Sequence, residues 1–285
     1  MLGEDTIVVH VAGSVLDPDL GDHVCLPFEG ERERMTATRV FTINGLRRRT
    51  KVVIITHADT PERTRGWLAP LVPGFADAES AGQVEILACA DTHFTSGCLD
   101  PERVYAGLAE AGRRARRHGQ HGVYALVDAS WGVRDTEGQA VFEAAINEVF
   151  GERWLAAVCA YDRRLFRRGD LDRAASVHPI SPERALLRFA ATTSPRGLRV
   201  WGDIDLTNRP AFASLLAPLE KEPGEIVIDA SGLDFIDVGS AQLLTHMALA
   251  RPPGSSSIVC RGFLARLLRL IGATPFIAVR RADDV

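Results

Sequence analysis

Histidine and cysteine near the start of the chain have the types that bind metals or carry redox chemistry. His23 and Cys25 are two residues apart, so on a strand their side chains share one face. Asp91, His93 and Cys98 follow a later apolar run. His23, Cys25, His93 and Cys98 together have the donor types of a zinc or haem site. No C-x-x-C or H-x-x-x-H pair fixes their geometry locally, which favours Cys25 packing in a core and His23 hydrogen-bonding near Asp128 or Tyr161. No metal and no cofactor is therefore expected. Asp128, and then Tyr161, Asp162, Arg163 and Arg164, stand just after apolar runs, where the pocket of an open α/β sheet is lined. Asp162 with Arg163 or Arg164 also has the composition of a structural ion pair. Nucleophilic catalysis has no support: there is no G-x-S-x-G elbow, and Ser130 has no histidine at a matching spacing.

Strand-like and helix-like patterns alternate to position these groups. Asp22–Phe28 is a short apolar run, Met35–Leu46 has helical spacing and ends at Arg47-Arg48-Arg49, and Lys51–Thr56 (KVVIIT) reads as a strand buried on both faces. Thr60-Pro61-Glu62 opens a helix with threonine as its cap and proline at its first position. Val84–Ala90 and Val123–Ala129 are strands, Asp100-Pro101-Glu102 starts a helix through Arg117, Gln139–Phe150 is a helix, and Leu155–Tyr161 is a fifth strand. Such alternation predicts a parallel sheet covered by helices on both faces. The run Arg113-Arg114-x-Arg116-Arg117 reads as a solvated helix end.

The pattern changes near Pro179 and Pro182. Two strands flanking Ser194-Pro195-Arg196-Gly197 make a direct hairpin, which no crossover unit contains. Helix Arg209–Leu219, strand Glu225–Asp229, helix Ser240–Ala250, strand SIVC, helix Phe263–Ile271 and strand FIAV follow. Two domains are expected, residues 1–180 and 184–285.

Composition bounds the function. The 285 residues carry a formal charge of −4, so no global basic field draws the chain to nucleic acid. Only Lys51 and Lys221 are lysine; the remaining cations are arginine. No stretch of about 18 to 20 apolar residues could span a membrane. The acidic start, Met1 to Asp5, lacks the features of a secretory signal, which predicts a cytoplasmic protein. Cysteines are odd in number, five, and four lie in apolar runs, so no disulfide framework is implied.

In the second half, VWGDIDLTNRPAF followed by EIVIDASGLDFIDVGSAQLL resembles the STAS domain of bacterial anti-sigma factor antagonists, from Ala185 onward. The resemblance implies a module that docks on an anti-sigma factor, a GHKL-type kinase or a related regulator, through the surface around Asp205, Asn208, Asp237, Gly239 and Ser240. The family's phosphorylated serine lies two residues after the aspartate, and here that position is Gly239, which has no hydroxyl. Ser240 is one residue on, turned by about 100° on a helix. It is a helix N-cap or, less favoured, a displaced phosphoacceptor. Ser231 is expected to serve the turn after its strand.

The first half, with GDHVCLPFEGERERM, GLRRRTKVVIIT and AAVCAYDRRLF followed by SVHP, resembles the MEDS domain over about Gly21 to Pro179. The resemblance implies a sensory module with a RecA-like or KaiC-like sheet, a family proposed to sense small hydrocarbon derivatives. Nucleotide hydrolysis would need a glycine-rich loop with lysine after the first strand. Glu29-Gly30-Glu31-Arg32-Glu33-Arg34 has three glutamates and no lysine, which makes it a poor anion cradle, although Arg32 and Arg34 could meet an anionic group.

These readings predict a cytoplasmic, non-enzymatic signalling regulator of transcription. Its sensory domain would bind a small molecule at a site drawn from His23, Cys25, Arg32, Arg34, Asp91, His93, Asp128, Tyr161, Asp162, Arg163 and Arg164. Its STAS domain would bind a protein, and a homodimer is compatible with it. The competing reading is a small-molecule or nucleotide-binding protein, enzymatic or not, in which STAS only oligomerises the chain.

Overall fold

A computed structural model describes residues 15–282. The chain divides into two compact units, residues up to 142 with 153–174, and residues 143–152 with 175 onward.

The first unit is built on a parallel sheet of β1 (His23–Phe28), β2 (Lys51–Thr56), β3 (Val84–Ala88), β6 (Val123–Asp128) and β7 (Leu155–Asp162), in the order β1-β7-β6-β2-β3. All six residues of β2 and all eight of β7 are buried, as uninterrupted apolar strands between covering layers must be. Helices flank the sheet. α1 (Glu31–Arg47) puts Glu31 and Glu33 in its first turn and Arg47 in its last, matching the helix dipole. It begins four residues before the apolar spacing announces it, because that first turn is wholly charged or polar. α2 (Pro61–Leu68) has the expected cap, with Thr60 Oγ1 accepting from the Arg63 N–H at 3.2 Å.

Past β3, the expected strand stops at Ala88 and Cys89 enters the short helix α4 (Cys89–His93), which follows α3 (Phe75–Ser80). A two-stranded ribbon, β4 (Phe94–Thr95) with β5 (Cys98–Leu99), leads to α5 (Pro101–Arg117), whose cap Asp100 accepts from the Arg103 N–H. α6 (Thr136–Phe150) and α7 (Arg168–Val177) complete the helices before the second sheet. Lys51 is 1% exposed; its Nζ donates to Gly82 O at 2.6 Å and pairs with Glu85 Oε1 at 2.8 Å.

The second unit holds β8 (Leu187–Thr193), β9 (Arg196–Ile204), α8 (Arg209–Glu220), β10 (Ile226–Ile236), α9 (Val238–Leu249), β11 (Ser256–Cys260), α10 (Gly262–Leu270) and β12 (Ala278–Arg281). Its sheet runs β12-β11-β10-β9-β8, with the expected antiparallel hairpin at β8/β9 and parallel pairing elsewhere. Gly197 is needed at the hairpin: a Cβ there would lie 1.8 Å from Val227 O on β10. β10 is longer than its apolar run Glu225–Asp229 because the ladder to β9 resumes after register shifts at Asp229/Gly232 and Leu233/Phe235. Ser231 sits within that irregularity, its N–H and hydroxyl both donating to Asp229 Oδ1. Arg251 is 5% exposed and donates to Leu219 O, Glu222 O and Gly224 O, tying the end of α8 to the loop that follows it. No described helix is long and apolar enough to cross a membrane.

Candidate functional site

In the first sheet the chain leaves β2 toward β3 on one side and β6 toward β7 on the other, so the strand order reverses between β2 and β6. Ligands of open α/β sheets bind beyond the carboxyl ends of the strands at such a point. A cleft of about 250 Å³ lies there, lined from the ends of β1 (Phe28), β2 (Ala58, Asp59), β6 (Asp128, Ser130) and β7 (Asp162, Arg164, Leu165), with Glu31 and Arg34 of α1 and Arg63 of α2.

Its carboxylates differ in what they have left to offer. Asp128 Oδ2 accepts from the N–H groups of His57 and Ala58 at 3.3 and 2.8 Å, and Oδ1 from Ser130 N and Oγ at 3.0 and 2.6 Å. Four donors use its capacity and tie the β2 loop to the end of β6. Asp162 accepts from Arg164 Nε and Nη2 at 2.9 and 2.6 Å and from the Arg164 N–H at 2.9 Å. The Arg164 guanidinium therefore holds the Asp162 carboxyl below the usual carboxylate range, against the opposing pull of burial.

Asp59 is different. Its side chain is 8% exposed; Oδ1 accepts from the Thr60 N–H, and Oδ2 is buried with no hydrogen bond. Two guanidiniums flank it: Arg63 Nε is 3.4 Å from Oδ1, and Arg34 Nη2 is 3.6 Å from Oδ2 and equally 3.6 Å from Glu31 Oε1, with no hydrogen bond in any of the three pairs. The Arg34 guanidinium also lies over the Trp67 ring, 5.8 Å from its centroid.

Of the residues singled out by sequence, Arg34, Asp128, Asp162 and Arg164 meet in this cleft. Arg32 and Arg163 are exposed and do not line it, and Tyr161 is buried edge-on to Phe166. The set His23, Cys25, His93 and Cys98 is not assembled. β1 and β3 are the two edges of the sheet, four spacings of about 4.8 Å apart, or roughly 19 Å. Cys98 is exposed on the ribbon. His23 Nε2 lies 3.5 Å from Cys159 Sγ, on the neighbouring strand two residues before Tyr161. His93 packs with Trp131 and Phe142, and with Asp91 it borders a second, mainly apolar pocket of about 330 Å³ between α5 and the β2 and β3 side of the sheet. Asp59 and Arg63 were missed by sequence reading, yet Asp59 follows β2 as Asp128 ends β6. Applying the strand-end rule to every strand would have found it.

In the second unit, Asp237 caps α9, its Oδ1 accepting from the Ser240 N–H at 2.6 Å. Ser240 is thus the third helical residue rather than the cap. It is fully buried, and its Oγ accepts from Arg209 Nε at 3.2 Å. Burial alone would raise the Asp237 carboxyl, but the Ser240 donors and the Arg209 guanidinium outweigh it and hold the group low. Asp205 accepts from Thr207 N and Oγ1, and Asn208, 1% exposed, donates to Ala185 O and Asp203 O while its Oδ1 accepts from the Asp205 N–H. Asn208 and Ser240 therefore hold the loops from within. Leu206, Phe235 and Val238 are large apolar residues exposed at this end of β9 and β10, at 70, 51 and 53%.

Residues 22–179 match the family model described as MEDS, MEthanogen/methylotroph, DcmR Sensory domain. Residues 187–277 match that described as Mlab, STAS domain. No curated protein sequence matches the chain. Among solved structures, the flagellar accessory protein FlaH from Methanocaldococcus jannaschii is similar at a TM-score of 0.40 and 9% identity, over 74% of this chain and 88% of that one. A KaiC-like protein from Pyrococcus horikoshii gives 0.40 and 14%, over 65% and 78%. Neither likeness is close enough to bear on function.

Proposed function

Because the chain belongs to the family of the methanogen/methylotroph DcmR sensory domain through residues 22–179, we propose that its first unit senses a small molecule and that its second docks on an anti-sigma factor kinase or a related regulator, in the cytoplasm. A sensory domain followed by a STAS domain makes a two-domain regulator, and a STAS domain is a protein-interaction module. Control of transcription by release of a sigma factor is the finer reading.

The observation that carries it is the apolar trio Leu206, Phe235 and Val238, exposed beside the carboxylates of Asp205 and Asp237. Exposed apolar side chains ringed by polar groups suit a protein interface. The proposed role is non-enzymatic: in the cleft Asp128 and Asp162 are already hydrogen-bonded, and the carboxylate of Glu31 lines it as well.

The test is capture of purified candidate anti-sigma kinases by the full chain and by Val238→Asp. Retention of a kinase by the wild type and its loss in the variant supports the reading. No retention by the wild type, or turnover of ATP or GTP by the purified chain, overturns it.

A further inference from the structure

The geometry of Arg34 and Asp59 points to the ligand of the cleft: we infer that it binds a small α-amino acid with an apolar side chain, its ammonium on Asp59 and its carboxylate on Arg34. The inference rests on the reading of the first unit as a sensor and names the chemistry it would sense.

Two opposite charges stand side by side at 3.6 Å on the cleft wall without a hydrogen bond between them. Asp59 Oδ2 has no hydrogen bond and Oδ1 accepts only that of the Thr60 N–H, with the Arg34 and Arg63 guanidiniums at 3.6 and 3.4 Å, so the carboxylate has acceptor capacity left for a donor from a ligand. The Arg34 guanidinium faces Glu31 and Asp59 only at long range, leaving its paired N–H groups available for a bidentate carboxylate. A simple anion would satisfy Arg34 but meet the charges of Glu31 and Asp59; a simple cation would satisfy Asp59 but meet Arg34 and Arg63. A molecule carrying both charges on neighbouring carbons fits the pair. Phe28 and Leu165 supply apolar wall for a short side chain. The cleft, about 250 Å³, has room for a small amino acid.

The experiment is calorimetric titration of the full chain with L-leucine, isobutylamine, isobutyrate and Mg-ATP, repeated on Asp59→Asn and Arg34→Met, with thermal melts to verify that each variant is folded. L-Leucine should bind saturably. The amine and the acid, each lacking one charge, should bind at least ten-fold more weakly, and each variant should lose at least ten-fold for L-leucine while melting as a folded protein. No saturable L-leucine binding by the wild type, equal binding of isobutylamine or isobutyrate, tighter Mg-ATP binding, or a folded Asp59→Asn that binds L-leucine as before would each overturn the inference. A chain that binds the amino acid but captures no kinase overturns the docking proposal alone; one that captures a kinase but ignores the amino acid overturns only this inference.

Discussion

Arg209 Nη2 lies 2.6 Å from Asp237 Oδ2, and the guanidinium held in this way fills the space that a side chain at residue 239 would enter. A Cβ on Gly239 would come within 2.6 Å of Arg209 Cζ. The position for which the STAS resemblance implies a phosphorylated serine thus has a cation reaching over it from α8. The neighbouring Ser240 is sealed beneath it.

Incubation with a cognate anti-sigma kinase and ATP should therefore leave the intact mass of the chain unchanged. A single added phosphate located on Ser240 would refute this. In Gly239→Ser the side chain can be accommodated only by moving the Arg209 guanidinium, the far end of a flexible side chain, so the variant should fold and become the better phosphoacceptor of the two.

Asp237→Ala removes the cap of α9 and the partner of Arg209, and should lower stability by about 1–2 kcal/mol, read as a lower urea midpoint of the full chain. The pH dependence follows from the low pKa of this carboxyl. Its contribution is complete above the unfolded value of about 3.9 and is lost as pH falls through the lower folded value. The gap between wild type and variant should accordingly be full near neutrality and close on strong acidification. A gap independent of pH would contradict the assignment.

Arg251→Ala leaves three backbone carbonyls around the end of α8 without their buried donor, and should cost about 3 kcal/mol in urea unfolding. Arg251→Lys should recover only part of the loss, because an ammonium cannot fork to several carbonyls as a guanidinium does. Full recovery by lysine would show that charge alone matters there.

Thiol titration with Ellman's reagent at about pH 8 should find one reactive cysteine in the native chain, and all five after denaturation. Cys98 is exposed, whereas burial, helped by the charge of Asp128, pushes the Cys89 thiol up to about 12, and burial alone takes Cys260 up to about 11. Cys98→Ser should abolish the native reaction. A second fast thiol would mean that one of the buried sites opens readily.

What was legible in the sequence follows from how local its causes are. KVVIIT and Thr60-Pro61 encode a buried strand and a capped helix through neighbouring residues alone, and both appear at the expected places. α3 and α7 are short and mostly polar, with too few apolar positions to show a period, and they went unseen. β10 outran its apolar run because the second half of its ladder depends on pairing with β9, which periodicity cannot register. The same holds for the sites. Asp128, Asp162 and Arg164 were found because strand ends are readable, but which carboxylate is already saturated depends on His57, Ala58 and Ser130, residues brought to Asp128 only by the sheet order. The cap of α9 was placed three residues late because Val238 and Gly239 dilute the helical signal that Asp237 in fact begins.

The four donors gathered on Asp128 have a kinetic consequence. With one carboxylate riveting the β2 loop to the end of β6, the opening above the switch point has its width set before any guest arrives, so little ordering entropy is spent on entry. Association followed by stopped flow should then rise linearly with guest concentration and show no saturating isomerisation phase, whereas Asp128→Ala, with the rivet drawn, should acquire one.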